Sequence, residues 1–181
     1  SDSDEVKQIA SKYDKTEFLQ RPKELASDKS PAIDYILHTI NYYCKKSILF
    51  DLIVIIQPSS PLRSGLDIDN TIKLLLENYK ADSSVSIVKI EHMLHPHKIK
   101  RFQNNILLPW MVDEENKTSS HEIPSLYVRN CAVYVFKTKN LEQGVTYGHE
   151  CLGYLMPSET SVDINEMVDF KFAEYLIKNK R

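Results

Sequence analysis

Residues 52–65 read LIVIIQPSSPLRSG. Leu52–Ile56 is an unbroken apolar run, and Gln57, Pro58, Ser59, Ser60, Pro61, Leu62 and Arg63 follow at once. A short, β-branched run bounded by turn residues reads as a strand buried on both faces, as in a parallel sheet. The loop after it is stiffened by two prolines. It carries an amide (Gln57), two hydroxyls (Ser59, Ser60) and a planar guanidinium fork (Arg63), groups suited to phosphate or carboxylate. In open α/β sheets, ligands bind outside the carboxyl ends of the strands. Local chemistry leaves two readings open: a ligand loop, or a capped β–α turn with Arg63 on the surface.

Working outward, residues 67–79 have helical spacing, with Ile68, Ile72, Leu75, Leu76 and Tyr79 turned inward. SSVSIVKI (83–90) is the next strand. On the other side, Ser30 can cap and Pro31 can open a helix whose stripe is Ile33, Ile36, Leu37, Ile40 and Cys44. Residues 4–13 form a further helix, with Val6, Ile9, Ala10 and Tyr13 on one face. This order points to an α/β fold with right-handed crossovers. Residues 91–128 break the pattern. They are polar and His-rich, with a hairpin expected at Asn104-Asn105 and an apolar LLPWMV stretch, which marks a lid or an interface. CAVYVF (131–136) returns to the sheet. GYLMP and SVDI read as short strands, and 166–178 as a closing helix carrying Phe170, Ala173, Leu176 and Ile177.

At 181 residues and 42% hydrophobic content, the chain suits one domain, 1–181, with 91–128 inserted in it. A net charge of −2 argues against a nucleic-acid partner. No apolar run approaches the roughly 18 residues that span a bilayer, and no secretory signal opens the chain, so no membrane partner is expected. Cys44, Cys131 and Cys151 are an odd set in unrelated contexts, read as reduced thiols of a cytoplasmic protein. His92, His95 and His97 lack a matching Cys or carboxylate and read as part of a polar arm, not a zinc site.

Four spaced segments then converge. QPSSPLR resembles the QP(T/S)SPLR signature of the acylneuraminate cytidylyltransferases. RPKELASDKSP (21–31) is similar to that family's RPxxLAxDxxP, and PSLYVRNCAVYVF (124–136) to its YxxNGAIY strand. MPSETSVDINEMVDFKFAE (156–174) is similar to its SxDI(D/N)xxxDFxxAE. Together they cover almost the whole chain.

The resemblance implies a three-layer, open, mostly parallel nucleotidyltransferase sheet with a dimerisation arm. It also implies transfer of CMP from CTP to the anomeric hydroxyl of a nonulosonic acid, release of pyrophosphate, and Mg²⁺ as cofactor. By the matched motifs, Arg21, Ser30 and Asn130 would bind nucleotide. Gln57, Ser59, Arg63 and Tyr127 would bind substrate. Asp163 would be the catalytic ligand of Mg²⁺, with Asn165 beside it and Asp169 either an outer partner of the metal site or structural. Alternation along extended chain puts residues 163 and 165 on one face, although Asn165 also suits the N-cap of the last helix. Asp28 would shape its loop. A homodimer through 91–128 follows from the same likeness.

The chain departs from the family pattern at Asn165, where many relatives have Asp, at Cys131, where they have Gly, and at Ser120-His121, where Arg-Gln is common. The amide of Asn165 would hold the ion more weakly yet still coordinate it, and the departures at Cys131 and Ser120-His121 leave the sugar acid open among sialic, pseudaminic, legionaminic and Kdo-type acids. No segment matches the family's phosphate-cradling PARxxSxxxxxKN. Either the chain is part of a longer enzyme or it is a degenerate homologue, a non-catalytic binding or oligomerisation module. In both cases the isolated 181 residues are expected to turn over poorly.

Overall fold

The structure, a computed structural model, describes residues 1–27, 30–111 and 123–179. The expectations placed on Asp28, Ser120 and His121 fall outside these. Two compact units emerge, Ser1–Ile53 with Phe136–Gly148, and Val54–Val135 with His149–Arg181.

The first unit contains α1 (Asp4–Ala10), α2 (Ala32–Cys44) and α4 (Thr138–Glu142). The core is Ile36 and Ile40 of α2 with Phe136 and Leu141, and Phe136 meets the Tyr147 ring edge-on at 5.8 Å. The helix start differs from the expectation at Ser30. Pro31 takes the N-cap without a side-chain bond, because the Ser30 hydroxyl is committed to Ser27 Oγ (2.8 Å) and the Glu24 carbonyl (3.1 Å).

A four-stranded sheet runs in the order β1–β5–β2–β6, with β1 at Leu52–Ile56, β5 at Tyr127–Lys137, β2 at Ser83–Lys89 and β6 at Cys151–Leu155. β2 and β6 are parallel, with Ser83 opposite Cys151 and Ile87 opposite Leu155. β5 runs the other way. The Thr138 N–H at its end donates to the Asp51 carbonyl before β1, and the Ile90 N–H after β2 donates to the Leu126 carbonyl before β5. Three of the four strands thus share one direction, a mixed α/β sheet that is mostly parallel.

β1 is half-buried rather than covered on both faces, and Ile56 is 49% exposed. It ends the strand order among the described residues, so it has one strand neighbour. The sheet's centre is β5 instead, where Ala132, Val133 and Val135 are fully buried.

Helix α3 (Gly65–Glu77) packs on β2 and β6. The Ser64 hydroxyl accepts from the Asp67 N–H while the Asp67 carboxylate accepts from the Ser64 N–H, a reciprocal capping box. The buried stripe is Asp67, Thr71 and Leu75, and Leu76 and Tyr79, expected inside, are exposed. Residues 67, 71 and 75 share one face at one-turn spacing, and sheet hydroxyls hold that face: Tyr154 donates to Asp67 Oδ1 (3.4 Å) and Ser84 to the Thr71 carbonyl (2.6 Å).

Two further segments depart from the expected pattern. Ser161–Ile164 is not a strand but irregular chain. Closing helix α5 (Met167–Lys178) buries Ala173, while Phe170 and Ile177 are exposed.

The hairpin is where the paired asparagines put it. β3 (Lys100–Gln103) and β4 (Ile106–Pro109) are antiparallel, with Gln103 opposite Ile106. Asn104 and Asn105 hold φ of 51° and 62°. Two successive left-handed residues make the turn whose twist suits a two-residue hairpin, and Asn tolerates that region.

Candidate active site

The loop after β1, Asn130 and the 156–169 segment all lie in the second unit. Arg63 fixes the shape of the loop after β1. Its Nη1 donates to the carbonyls of Gln57 (3.0 Å) and Ala132 (2.8 Å), tying the loop to itself and to β5. Partial burial pulls the guanidinium down from its ordinary pKa. The Ser60 hydroxyl, also buried, points to the Asn130 carbonyl at 3.5 Å. With these two side chains committed inward, the Gln57 carboxamide and the Ser59 hydroxyl make no hydrogen bond among the described residues.

Asp163 is held beside this loop. On its far side, the Ile164 N–H donates to the Ser59 carbonyl at 2.8 Å. On its near side, the Ser161 hydroxyl donates to the Pro157 carbonyl (2.7 Å) and accepts from Asn130 Nδ2 (2.8 Å). Asp163 Oδ2 accepts from Asn165 Nδ2 at 3.1 Å. Asp163 Oδ1 is buried and has no partner among the described residues. A buried carboxylate oxygen without a donor is costly unless a cation or donor meets it.

Asn165 is not the helix cap. Glu166 is, and the Asp169 carboxylate accepts from the N–H groups of Asn165 (3.0 Å) and Glu166 (2.8 Å). Those two donors hold the Asp169 pKa below the usual carboxylate range. Asp169 is therefore structural, and the Asn165 side chain is left to face Asp163.

Asn130 is 4% exposed. Oδ1 accepts from Ser86 Oγ (2.6 Å) and from the Ala132 N–H (3.4 Å), while Nδ2 reaches Met156 Sδ (3.2 Å) as well as Ser161. The next residue, Cys131, has φ 61°. The likeness to a Gly-bearing strand already pointed to this position, and the chain keeps the left-handed backbone with a side chain on it. Tyr127, at the start of β5, is half exposed.

An open cleft of about 560 Å³ lies at the carboxyl ends of β2 and β6, lined by residues 88–91 and 155–159. Sequence reasoning assigned none of these residues to a site, although 156–159 open the fourth matched segment, because strand ends become a cleft only once the sheet order is known.

Arg21 and Ser30 sit in the first unit. Arg21 pairs with Asp2 at 2.7 Å and lies 5.8 Å from the Tyr35 ring centre, and its Nε is buried and unpartnered among the described residues. Two histidines of the arm, His95 and His97, pack on each other. His95 is buried, its Nδ1 accepts from the His97 N–H, and its Nε2 therefore donates to the Pro124 carbonyl. Its ring stacks on His97. Among the described residues no three His, Cys, Asp or Glu side chains gather into a metal cage.

No family model matches the chain. Curated relatives do. CMP-N,N'-diacetyllegionaminic acid synthase of Campylobacter jejuni is 30% identical over 99% of this chain and 76% of its own length. Post-translational flagellin modification protein B of Campylobacter coli is 28% identical over the same shares. N-acylneuraminate cytidylyltransferase of Escherichia coli is 27% identical over 96% of this chain and 40% of its own length. A solved CMP:2-keto-3-deoxy-manno-octonic acid synthetase complexed with CTP shares the fold, with a TM-score of 0.64 over 99% of this chain and 79% of its own at 8% identity. The chain belongs to the acylneuraminate cytidylyltransferase family of nucleotidyltransferases.

Proposed function

We propose that this chain carries the sugar-acid side of an enzyme that transfers CMP from CTP to a nonulosonic acid and releases pyrophosphate. The observation behind this reading is the Asp163 carboxylate, held beside the QPSSPLR loop with one buried oxygen unpartnered. The donor set fits Mg²⁺, which takes one or two carboxylate or carbonyl oxygens and keeps water and phosphate for the rest of its shell. Asp163 Oδ1 would hold it, with the Asn165 amide oxygen as a second ligand after its side chain turns. When bound, the ion supplies charge neutralisation on the triphosphate and polarises the attacked phosphorus.

The chain's own groups divide the remaining work. Gln57 and Ser59, with their side chains uncommitted, orient the sugar acid. Arg63 holds their loop rigid through two carbonyls, so its contribution to substrate binding is preorganisation. Tyr127 offers an exposed ring and hydroxyl to the sugar. Arg21 and Ser30 are assigned to the nucleotide. A legionaminic acid is our first choice of acceptor, because the 30% identical relative is named for it.

We also propose a homodimer through 91–128 in the cytoplasm. Every residue of β3 and β4 is exposed, Phe102 by 70%, and an isolated two-stranded ribbon is marginal in water. Among the described residues no helix is long and apolar enough to cross a membrane. Light scattering at micromolar concentration should give a dimer, and a strictly monomeric species would remove that part.

The activity test is pyrophosphate release by the gene product carrying this chain, given CTP, Mg²⁺ and in turn legionaminic, neuraminic, pseudaminic and Kdo-type acids. We expect turnover with one of them and loss of about 100-fold or more in Asp163→Asn, the scale of removing one electrostatic stabiliser. Silence with every acid, or full activity in Asp163→Asn, would overturn it.

A further inference from the structure

We infer that Asn130, with Ser86 and Ser161, is a positioning device for Asp163 and touches neither nucleotide nor sugar. The inference rests on the reading of Asp163 as the metal ligand.

A carboxamide has two donor hydrogens and one oxygen with two lone pairs. At Asn130 all four are engaged: Ser86 Oγ and the Ala132 N–H on the oxygen, Ser161 Oγ and Met156 Sδ on the nitrogen. Nothing remains for a ligand, and the side chain is buried. The orientation is dictated by the partners. The Ala132 N–H can only donate, so the oxygen must face it, which aims the nitrogen at Ser161. Ser86 reinforces this: its hydroxyl accepts from the Val133 N–H at 2.8 Å, and of the two acceptors near its own hydrogen, Asn130 Oδ1 at 2.6 Å is much closer than the Val133 carbonyl at 3.2 Å.

Ser161 passes the constraint on. Its single hydrogen goes to the Pro157 carbonyl, so the lone pair facing Asn130 is an acceptor that an amine-type nitrogen satisfies. Ser161 is thereby pinned two residues before Asp163, and Ile164 is pinned one residue after it by the Ser59 carbonyl. The carboxylate hangs between an anchor from the centre of the sheet and an anchor from the substrate loop. A cation arriving at Oδ1 finds it already ordered, which lowers the cost of binding. Outer partners that orient metal ligands usually control affinity by about 10- to 100-fold.

The experiment is titration of the chain with Mn²⁺ alone, reading free ion by electron paramagnetic resonance. Four variants are compared with the parent: Asp163→Asn, Ser161→Ala, Ser161→Thr and Asn130→Asp. Thermal melts run alongside. Asp163→Asn should abolish the site. Ser161→Ala and Asn130→Asp should raise Kd about 10-fold or more, the outer-partner scale, with both variants still folded at the titration temperature in the melts. Ser161→Thr keeps the hydroxyl and should stay within about 3-fold of the parent, well short of that scale. If Ser161→Ala and Asn130→Asp bind like the parent while Asp163→Asn does not, the positioning inference falls and the metal reading stands. If Asp163→Asn binds Mn²⁺ like the parent, or the parent binds none, both fall.

Discussion

Two polar networks in this molecule sit at opposite extremes. The chain Ser86–Asn130–Ser161 is neutral and built from short hydrogen bonds, with Ser86 1% and Asn130 4% exposed. The cluster around Glu17, in the other unit, lies on the surface and is ionic. Its carboxylate accepts from Tyr43 (2.8 Å), Lys46 (3.1 Å) and Tyr42 (3.4 Å), and the Lys46 ammonium lies 4.1 Å from the Tyr42 ring centre. Both count as polar contacts, yet their energetic weight differs. A buried neutral group must be paired, because losing one partner strands the others away from water. An exposed ion pair competes with solvent and salt at each end, and its net worth is small. The buried network should therefore dominate stability without responding to pH, and the surface cluster should do the reverse.

The largest expected effect tests the first half of that contrast. Asn130→Leu keeps the branching and the number of heavy atoms and removes both polar ends of the carboxamide. Ser161 loses its donor, the Ala132 N–H loses an acceptor, and Ser86 keeps only Val133. Stranding two or three buried groups should cost about 3 kcal/mol in urea unfolding, at about 1–3 kcal/mol for each group left unsatisfied. The loss should be the same at pH 6 and pH 8, since no member of the network titrates there. A cost below about 1 kcal/mol, the scale of one ordinary hydrogen bond, would mean that water reaches the site and that the network is not buried in solution.

How legible this was from the sequence depends on the kind of signal. The hairpin at Asn104-Asn105 was fully legible, because two residues tolerant of left-handed backbone between extended runs have few other uses. The strand, loop and helix around QPSSPLR were legible for the same local reason. The depth of β1 was not. An apolar run reports what a strand can be buried against, and the strand order decides what it is buried against. Ser161–Ile164 read as a strand because its residues alternate, but the Ser161 N–H donates to the Ser158 carbonyl and the Ile164 N–H to Ser59, and neither joins a ladder. Among site residues, Asp163 came from the family likeness, and its orphaned oxygen is visible only in the fold. Asn130 was legible as important, while its task was hidden. The partners that use up its carboxamide lie 44 residues before it and 31 after it.

The second test sits one residue along the same strand. Cys131 holds a left-handed φ of 61° next to the fully committed Asn130. A side chain there costs about 1–2 kcal/mol in backbone strain, and glycine returns part of that by being more flexible when unfolded. Cys131→Gly should therefore raise the unfolding midpoint, by about 0.5–1 kcal/mol net. A loss would show that the Cys131 side chain makes packing contacts worth more than the strain.

The smallest effect belongs to the surface cluster, and it is visible mainly as a pH dependence. The Tyr43 hydroxyl, then Lys46, hold the Glu17 pKa below its ordinary value of 4.5. A carboxylate depressed in the folded state stabilises above its unfolded pKa and loses that contribution as pH falls through the lower folded value. The same contact raises the pKa of Tyr43 above 10.0, because its proton is held by Glu17, and raises that of Lys46 above 10.5 through its tyrosine and carboxylate neighbours. Groups raised in the folded state stabilise below their unfolded pKa and lose it as pH climbs through the folded one. The cluster's contribution is thus flat between about pH 5 and pH 9 and fades at both ends, the windows following from ordinary carboxylate and phenol values. Glu17→Gln removes the charge and keeps the shape. Its urea midpoint should fall slightly below the parent's at pH 7, and the gap should narrow as pH falls below the ordinary carboxylate range and again as it climbs past the ordinary phenol and ammonium range. The Asn130→Leu gap should stay open at both ends. If the Glu17→Gln gap were as wide at pH 3 as at pH 7, the carboxylate's charge would have no part in holding α2, and the contrast between the two networks would fail at its ionic end.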